Sequence, residues 1–447
     1  MRSNIPAAAD IAIVGAGAAG LMAGIWAGRT AANQGRRPQI VLLEGSSKLG
    51  RKILISGGGR CNLTHQVVTP ADYAGSSRNA IKKVLKRFDV PATVKFFNEL
   101  GVHFKTEETG KLFPTTDRAQ TVLNALVREA QTYADIYHPC RVESIVRCQS
   151  TGGFELLGDW GSLRARSVVL ATGGKSIPKT GSDGHGFELA KSLGHSLTPQ
   201  LFPALVPLTL TKDHFIRDLS GMTLVTALEL WGPTGKRLER FENSTLCTHF
   251  GLSGPAALDV SRYYLAAVKD DPNVSLTINW APAWNENSLG EQLRSESQRR
   301  PYAILREQVP DRLAKALLDC WQADPDVPPH APETVACQLS KKAIRSLARI
   351  VTRMPLPITG TRGFDFAEAT AGGVPLQEIQ LQRMESRVCP GLHFCGEICD
   401  VDGRIGGFNF QWAWASGYVV GVALGDSPVS SERAPFNSPQ PPSLDVT

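Results

Sequence analysis

The chain has 447 residues, 42% hydrophobic and 20% charged, with nine cysteines and a net charge of +6. That length predicts about two or three domains of ~150 residues with an ordinary globular core. The mild positive charge admits an anionic cofactor or partner but does not require nucleic acid, and no apolar run approaches the ~18 residues of a membrane-spanning helix. The cysteines, at 61, 140, 148, 247, 320, 337, 389, 395 and 399, show neither a CxxC pair nor a Cys/His zinc spacing. No metal is therefore expected, and an odd count without a framework points to a reducing, cytoplasmic setting. The N-terminal MRSNIPAAAD runs straight into a strand-like stretch with no signal-peptide pattern.

Residues 10–28, DIAIVGAGAAGLMAGIWAG, begin as a buried strand (Ile11, Ile13, Val14) and become helical from Leu21 to Trp26. Between them lies Gly15-x-Gly17-x-x-Gly20, with Ala18 and Ala19 inside the same turn. In a dinucleotide-binding unit Gly15 makes the tight turn, Gly17 lets a pyrophosphate approach the backbone, and Gly20 lets helix and strand pack closely. RRPQIVLLEG supplies a second strand that ends at Glu44 and Gly45, and an acid there accepts hydrogen bonds from a ribose hydroxyl. A lone GxGxxG is weak evidence; here the strand, helix and acid stand in their places.

ISGGGRCNLTH follows, with Lys48, Arg51 and Lys52 ahead of Gly57, Gly58 and Gly59. It lacks the Gly-Lys-Ser/Thr ending of a nucleoside-triphosphate loop. It is read as a bare backbone cradle for the flavin end of FAD, flanked by Arg60, Cys61 and Asn62, with Arg51 and Lys52 nearer the phosphates. Cys61 has two readings: a thiol poised by Arg60 for catalysis, or a small packing residue under the ring. Helical periodicity marks 78–101 and 117–131, and RVESIVRCQSTGGFELLGDWGSLRARSVVLATGG reads as a meander closing on a buried strand.

From about 196 the texture becomes Pro-rich and extended, then forms a hairpin turning at Gly232–Gly235. Residues 286–350 are charged and helix-forming, interrupted by DPDVPPHAPE. Strands and glycines return after MPLPITG, and the Ser/Pro-rich tail from 426 is expected to be disordered. No second GxGxxG occurs. The strand-then-glycine segments VVLATGG (Ala171, Thr172, Gly173) and GLHFCGE (Gly396, Glu397) are of the kind that edges a flavin, which favours FAD over NAD as the resident cofactor.

VGAGAAGLMAG, LEGSSKLGRKILISGGGRCNLTH, KLFPTTDRAQTVL, ATGGKSIPKTGSDGHGFELAKSLGH, THFGLSGPAALDVSR, AEATAGGV and GEICDVDGRIGGFNFQWAWASGY together resemble the BaiN-like family of NAD(P)/FAD-dependent oxidoreductases. The likeness runs from about residue 10 to 423. It implies an α/β fold: a Rossmann-like, two-dinucleotide-binding-type FAD domain (1–195 and 360–425) interrupted by a β-barrel-like domain (196–284 and 345–359) and a small helical domain (285–344), with a 426–447 tail. Activities ascribed within that family include reduction of conjugated C=C bonds in bile-acid dienones, aminoacetone oxidation and uridine reduction in ribosomal RNA.

The resemblance also implies roles for particular residues. Gly406 and Gly407, with Phe408 and Asn409, would precede a helix starting near Phe410 whose amides face the flavin N1–C2=O edge, where reduced flavin carries its charge. The bland reading is a plain core helix with Trp412 and Trp414 at its margin. Glu397 and Asp400 would accept from the ribityl chain or cap the next turn. Val142 lies where such folds read adenine through the backbone. His249, in the inserted barrel, is a candidate proton donor or a turn hydrogen-bonder. Cys395 and Cys399 could meet as a redox pair. The cations Arg299, Arg300, Arg306, Lys341, Lys342, Arg345, Arg349 and Arg353 form either a phosphate-binding surface or a solvated helix face.

The expected function is reduction of an activated C=C bond in a small molecule, with FAD taking hydride at N5 from transient NAD(P)H. The alternatives are a flavin amine oxidase, a flavin-dependent uridine reductase acting on RNA, and a non-redox RNA-associated flavoprotein.

Overall fold

The structure is a computed structural model that describes residues 5–148, 152–325, 327–329 and 333–427. The tail beyond 427 and part of DPDVPPHAPE lie outside the described residues.

Four-residue apolar runs build the first sheet. Ala8–Val14 pairs in parallel with Ile40–Leu43 on one side and Gly161–Leu170 on the other. Leu392–Phe394 extends the sheet beyond Leu170, and Asp135–Tyr137 extends it beyond Leu43. The carboxyl-terminal stretches 11–14, 40–43 and 168–170 are buried on both faces, so they are apolar throughout rather than alternating. Their register brings the carboxyl ends together: Val14 lies beside Leu43 and Leu170, and Leu170 beside Phe394. The connections after these residues therefore open on one edge, the crevice where open α/β sheets bind ligands. Ser144–Arg147 and Phe154–Gly158 form the antiparallel meander leading into Gly161–Leu170.

Two helices cover this sheet. The fingerprint helix, Ala18–Ala32, packs along the closing helix, Phe408–Asp426. Small residues set the distance between them. A Cβ on Gly417 would lie 2.6 Å from the Ala19 carbonyl oxygen, and one on Gly421 2.6 Å from that of Ala23. Trp412 and Trp414 are fully buried rather than marginal; their indole N–H groups donate to the carbonyls of Gly396 (3.0 Å) and Leu63 (2.9 Å). The closing helix begins at Phe408, two residues earlier than expected, because Gly407 at φ +94° already turns the chain into it. The 78–101 helix is broken into Arg78–Leu85 and Val90–Glu99; Asp89 caps the second by accepting the Ala92 N–H at 2.9 Å, and Pro91 sits in its first turn.

A second, seven-stranded sheet is antiparallel and drawn from residues 208–279 and 354–361. Thr223–Trp231 and Arg237–Thr248 are its long hairpin. Its two edge strands, Met354–Pro355 and Ile358–Thr361, are separated by only two residues, so the sheet must curl to bring its edges together. The helices Glu286–Ser295, Asp311–Gln322 and Lys341–Thr352 bury their apolar faces in the same core as these strands, with Trp280, Leu317 and Leu347 fully enclosed. Strands and helices of the insertion therefore share one hydrophobic core. A docking helix, Pro255–Asp270, ties it to the segment leading into the closing helix: Arg262 grips Asp402 through two hydrogen bonds, and Asp259 accepts the Ile405 N–H at 2.8 Å.

Candidate functional site

A cavity of about 770 Å³ opens on the carboxyl edge of the parallel sheet and runs to the junction with the insertion. At one end lie Gly15, Gly17, Ala18, Ala19, Glu44 and Gly45. Gly15 takes φ +101°, and a Cβ there would sit 2.5 Å from the Ala171 carbonyl oxygen, so only glycine makes this turn. Gly17 differs: its φ of −82° suits any residue, and a Cβ would meet nothing within 4 Å. The cavity occupies the space in front of it. Glu44 accepts the Ala16 N–H at 2.9 Å and the Ser46 N–H at 2.8 Å, which fixes its carboxylate at the helix N-terminus. Val142, Ala171, Thr172 and Gly173 continue the wall.

The opposite end is built by the triple glycine. Arg51–Gly59 starts as a helix and kinks where Ser56 turns extended (ψ 146°); Gly57 and Gly58 then take left-handed φ of 56° and 68°. Gly59 follows at φ 85° and Cys61 at φ 64°. Four left-handed residues in five are affordable only because three are glycine. A Cβ on Gly58 would face open space, and Gly57, Gly58, Arg60 and Asn62 line the cavity. Gly406, Gly407 and Asn409 face them from the start of the closing helix. Lys52 bridges the two walls: its ammonium donates to Glu397, whose other carboxylate oxygen accepts from the Ser176 hydroxyl (2.7 Å) and the Thr370 N–H (2.9 Å).

Four buried polar atoms on this wall have no partner among the described residues: the hydroxyls of Ser46 and Ser182, the side-chain oxygen of Asn62 and the Nε of Arg404. An unpaired buried polar atom costs about 1–3 kcal/mol, so a wall carrying four is built for a ligand that supplies their hydrogen bonds. The ligand must be elongated, with hydrogen-bonding groups along its length and an anionic part near the fingerprint helix. A dinucleotide such as FAD has that shape and chemistry, and the residues present fit it.

Not every residue expected at the site lines it. Gly20 lies beneath the turn, where a Cβ would sit 1.9 Å from the Gly15 carbonyl oxygen; it serves packing. Gly59 and Phe408 stand behind the wall, Phe408 stacked on His65 at 5.1 Å between ring centroids. Asp400 turns away to accept the Ser76 hydroxyl at 3.1 Å, and burial raises its pKa.

The catalytic reading of Cys61 needs correcting. Its side chain is fully buried and off the cavity wall, and desolvation pushes its thiol up to about 12, only partly offset by Ser56. Arg60 offers it no help, because its guanidinium lies over the Phe113 ring at 4.0 Å and pairs with Glu107 at 2.6 Å. Native protein at about pH 8 should therefore leave Cys61 unalkylated by iodoacetamide while exposed Cys337 reacts, as read by peptide mass spectrometry; rapid labelling of Cys61 would contradict its burial.

His249 is likewise not brought to the cavity. It sits at the exposed tip of the Thr248–Gly251 turn, its carbonyl oxygen accepting from Arg217 at 2.7 Å and its ring against Phe250. Cys395 and Cys399 are free, buried thiols whose pKa values burial raises, which suits packing rather than exchange. His185 begins the helix His185–Ser192, its N–H accepted by Asp183 at 3.0 Å.

Several wall residues escaped the sequence reading: Ser46, Ser182, Lys111, Phe113, Glu368 and Arg404. Glu368 and Arg404 fall inside the conspicuous segments AEATAGGV and GRIGG, but neither segment says which side chain faces inward. Ser46 and Ser182 carry no sequence signal.

The model of the HI0933-like protein Rossmann domain matches residues 9–423. A 3-dehydro-bile acid delta(4,6)-reductase of Clostridium scindens is 33% identical over 423 residues, 94% of this chain and 99% of the relative. Ribosomal RNA dihydrouridine synthases of Haemophilus influenzae and Escherichia coli are 32% and 33% identical, over 92% and 93% of this chain and 97% and 98% of their own.

Proposed function

The chain belongs to the HI0933-like Rossmann family, and from that membership we propose that it is an FAD-dependent oxidoreductase that saturates an activated carbon–carbon double bond with hydride from NAD(P)H. One observation carries the reading. Full-length relatives are named for two unlike substrates, a bile acid and ribosomal RNA, yet both names describe adding two hydrogens across a double bond. The shared part is the chemistry, and the shared chemistry belongs to a common cavity.

When bound, FAD supplies two-electron hydride chemistry at its ring. The chain's residues do the rest. Gly15, Gly17 and the helix N-terminus at Ala18 would receive the pyrophosphate, and Glu44 the ribose. Ser46, Ser182 and Asn62 would gain the partners they lack. The bare backbone of Gly57–Gly58 and Gly406–Gly407 would hold the ring end between two elements, where the N-terminus of the closing helix would favour negative charge. Glu397, held by Lys52, Ser176 and Thr370, keeps the two walls in register.

A second reading, in which the reduced bond belongs to a uridine of RNA, is supported by the two synthase relatives. The basic helical face lends it limited support. Arg299, Arg300 and Arg306 pair with carboxylates, and Arg353 stacks over Trp231 at 3.9 Å.

Anaerobic stopped-flow tests the proposal. The yellow absorbance of the purified protein should bleach on mixing with NADH or NADPH, and return when a steroid 4,6-dien-3-one or a uridine-containing ribosomal RNA is added. Protein that neither carries nor takes up FAD would end the reading; bleaching by an amine alone would replace it with an oxidase.

A further inference from the structure

Five carboxyl groups line the cavity: Glu44, Glu107, Asp183, Glu368 and Glu397. Four are committed. Glu44 holds the fingerprint turn, Glu107 pairs with Arg60 at 2.6 Å, Asp183 pairs with Arg141 at 2.8 Å, and Glu397 pairs with Lys52. Glu368 is the exception. Among the described residues no hydrogen bond or ion pair engages its carboxyl.

Its main chain, by contrast, is pinned on both sides. The Glu368 N–H donates to the Leu205 carbonyl at 3.1 Å, and its own carbonyl accepts from Ser176 at 3.4 Å. Flanking Ala367 and Ala369 are buried. The backbone is fixed where the insertion meets the first sheet, and the side chain presents accessible surface to the cavity. A rigidly mounted, unpartnered acid on a cavity wall is the arrangement a proton donor requires.

We propose that Glu368 is the general acid of this enzyme, delivering the proton that accompanies hydride transfer to the substrate double bond. This rests on the reductase reading above. In the step, one alkene carbon receives the hydride, with two electrons, derived from the nicotinamide donor. The π pair moves to the neighbouring carbon, which takes the proton as the Glu368 O–H bond breaks. The carboxylate left behind recovers its proton from solvent, so one double bond, one hydride and one proton give a saturated bond.

The surroundings suit the role. Desolvation raises the Glu368 pKa, opposed by the charges of Lys111 and Lys52 and reinforced by Asp259. These groups reach it from the Lys111–Pro114 strand, the Arg51–Gly59 helix and the docking helix. Although its side chain is exposed, what it faces is a cavity walled by protein, so the desolvation persists. Neither Cys61, buried behind the wall, nor His249, on the exposed turn, competes for the task.

Infrared spectroscopy and half-reaction kinetics test this on the wild type and Glu368→Gln. The wild-type-minus-variant difference spectrum should carry a protonated-carboxyl C=O band that shifts in D2O and persists to higher pH than an ordinary glutamate of pKa ~4.3 would allow. The band of Asp259, whose carboxyl burial pushes up to about 6, is common to both proteins and cancels in the difference. A difference spectrum without that band, or one that titrates like an ordinary glutamate, overturns the assignment whatever the substrate. With a steroid 4,6-dien-3-one as probe, the variant should bleach with NADPH at the wild-type rate but reoxidise about 100-fold more slowly or worse. Equal reoxidation of the two proteins sinks Glu368 alone; failure of the wild type to hold flavin sinks the reductase reading with it.

Discussion

Gly17→Val should fold normally and purify without yellow colour. The position separates binding from stability unusually well. Its φ of −82° and ψ of −165° are open to valine, and a Cβ there touches nothing within 4 Å. Surface substitutions of this kind typically change stability within about 0.5 kcal/mol. The methyl groups would enter the space in front of the helix N-terminus, where the proposed FAD would set its pyrophosphate. Displacing it from the backbone amides should weaken FAD at least 100-fold, about 2.8 kcal/mol at 1.4 kcal/mol per decade. Flavin content measured after denaturation, together with the melting temperature of the apoprotein, checks both halves. Gly58→Val is a poorer test, because φ of +68° would strain the backbone as well. A Gly17→Val protein with full flavin content would move the pyrophosphate elsewhere.

Arg262→Ala should be the most damaging change remote from the cavity wall. Arg262 donates to both oxygens of Asp402, at 2.9 and 3.2 Å, and Asp402 is only 3% exposed. Removing one partner of such a pair leaves a buried charge without compensation, which costs about 3–5 kcal/mol. The loss should depend on pH. Desolvation already raises the Asp402 pKa, with Arg262 the main opposing charge. Without Arg262 it rises further, so the folded state binds a proton more tightly than the unfolded chain does. Stability is then highest in acid and falls as pH rises through the folded pKa. Denaturant midpoints of Arg262→Ala should therefore fall furthest below wild type near about pH 8 and recover toward about pH 5. The Arg262→Ala/Asp402→Asn double variant should regain much of the loss at high pH. A single variant within 1 kcal/mol of wild type at high pH would show that this contact does not anchor the insertion.

The two substitutions mark the boundary of what can be read from a linear chain. The fingerprint unit is legible because it is local. Strand, glycine spacing, helix and acid fall between Ala8 and Glu44, and each follows from short-range chemistry: hydrophobic period, positive φ at Gly15, close packing at Gly20. The hairpin at Gly232–Gly235 and the meander before Leu170 are legible for the same reason. The short helix that opens at Arg51 was not, since it breaks where Ser56 turns extended and Gly57 and Gly58 turn left-handed, and the glycines mark only where it ends.

The site was only half legible. Sequence read Gly57 and Gly58 as a bare backbone cradle, the family resemblance implied Gly406 and Gly407 at the same end, and all four line one cavity. It also credited Cys61 with the help of Arg60, because adjacency in the chain looks like adjacency in space. The fold parts them: the guanidinium turns to Phe113 and Glu107, while the sulfur enters a core whose low polarity disfavours thiolate. Composition and spacing by themselves determined that the chain carries a dinucleotide-type α/β unit; the long insertion was implied by the family resemblance. Only the tertiary structure decided which charges are spent and which are free. Lys52 and Glu397 lie 345 positions apart and cancel each other, whereas Glu368 remains unmatched among the described residues. Pairing of charges depends on distances of a few ångströms between remote segments, and no local pattern encodes those distances.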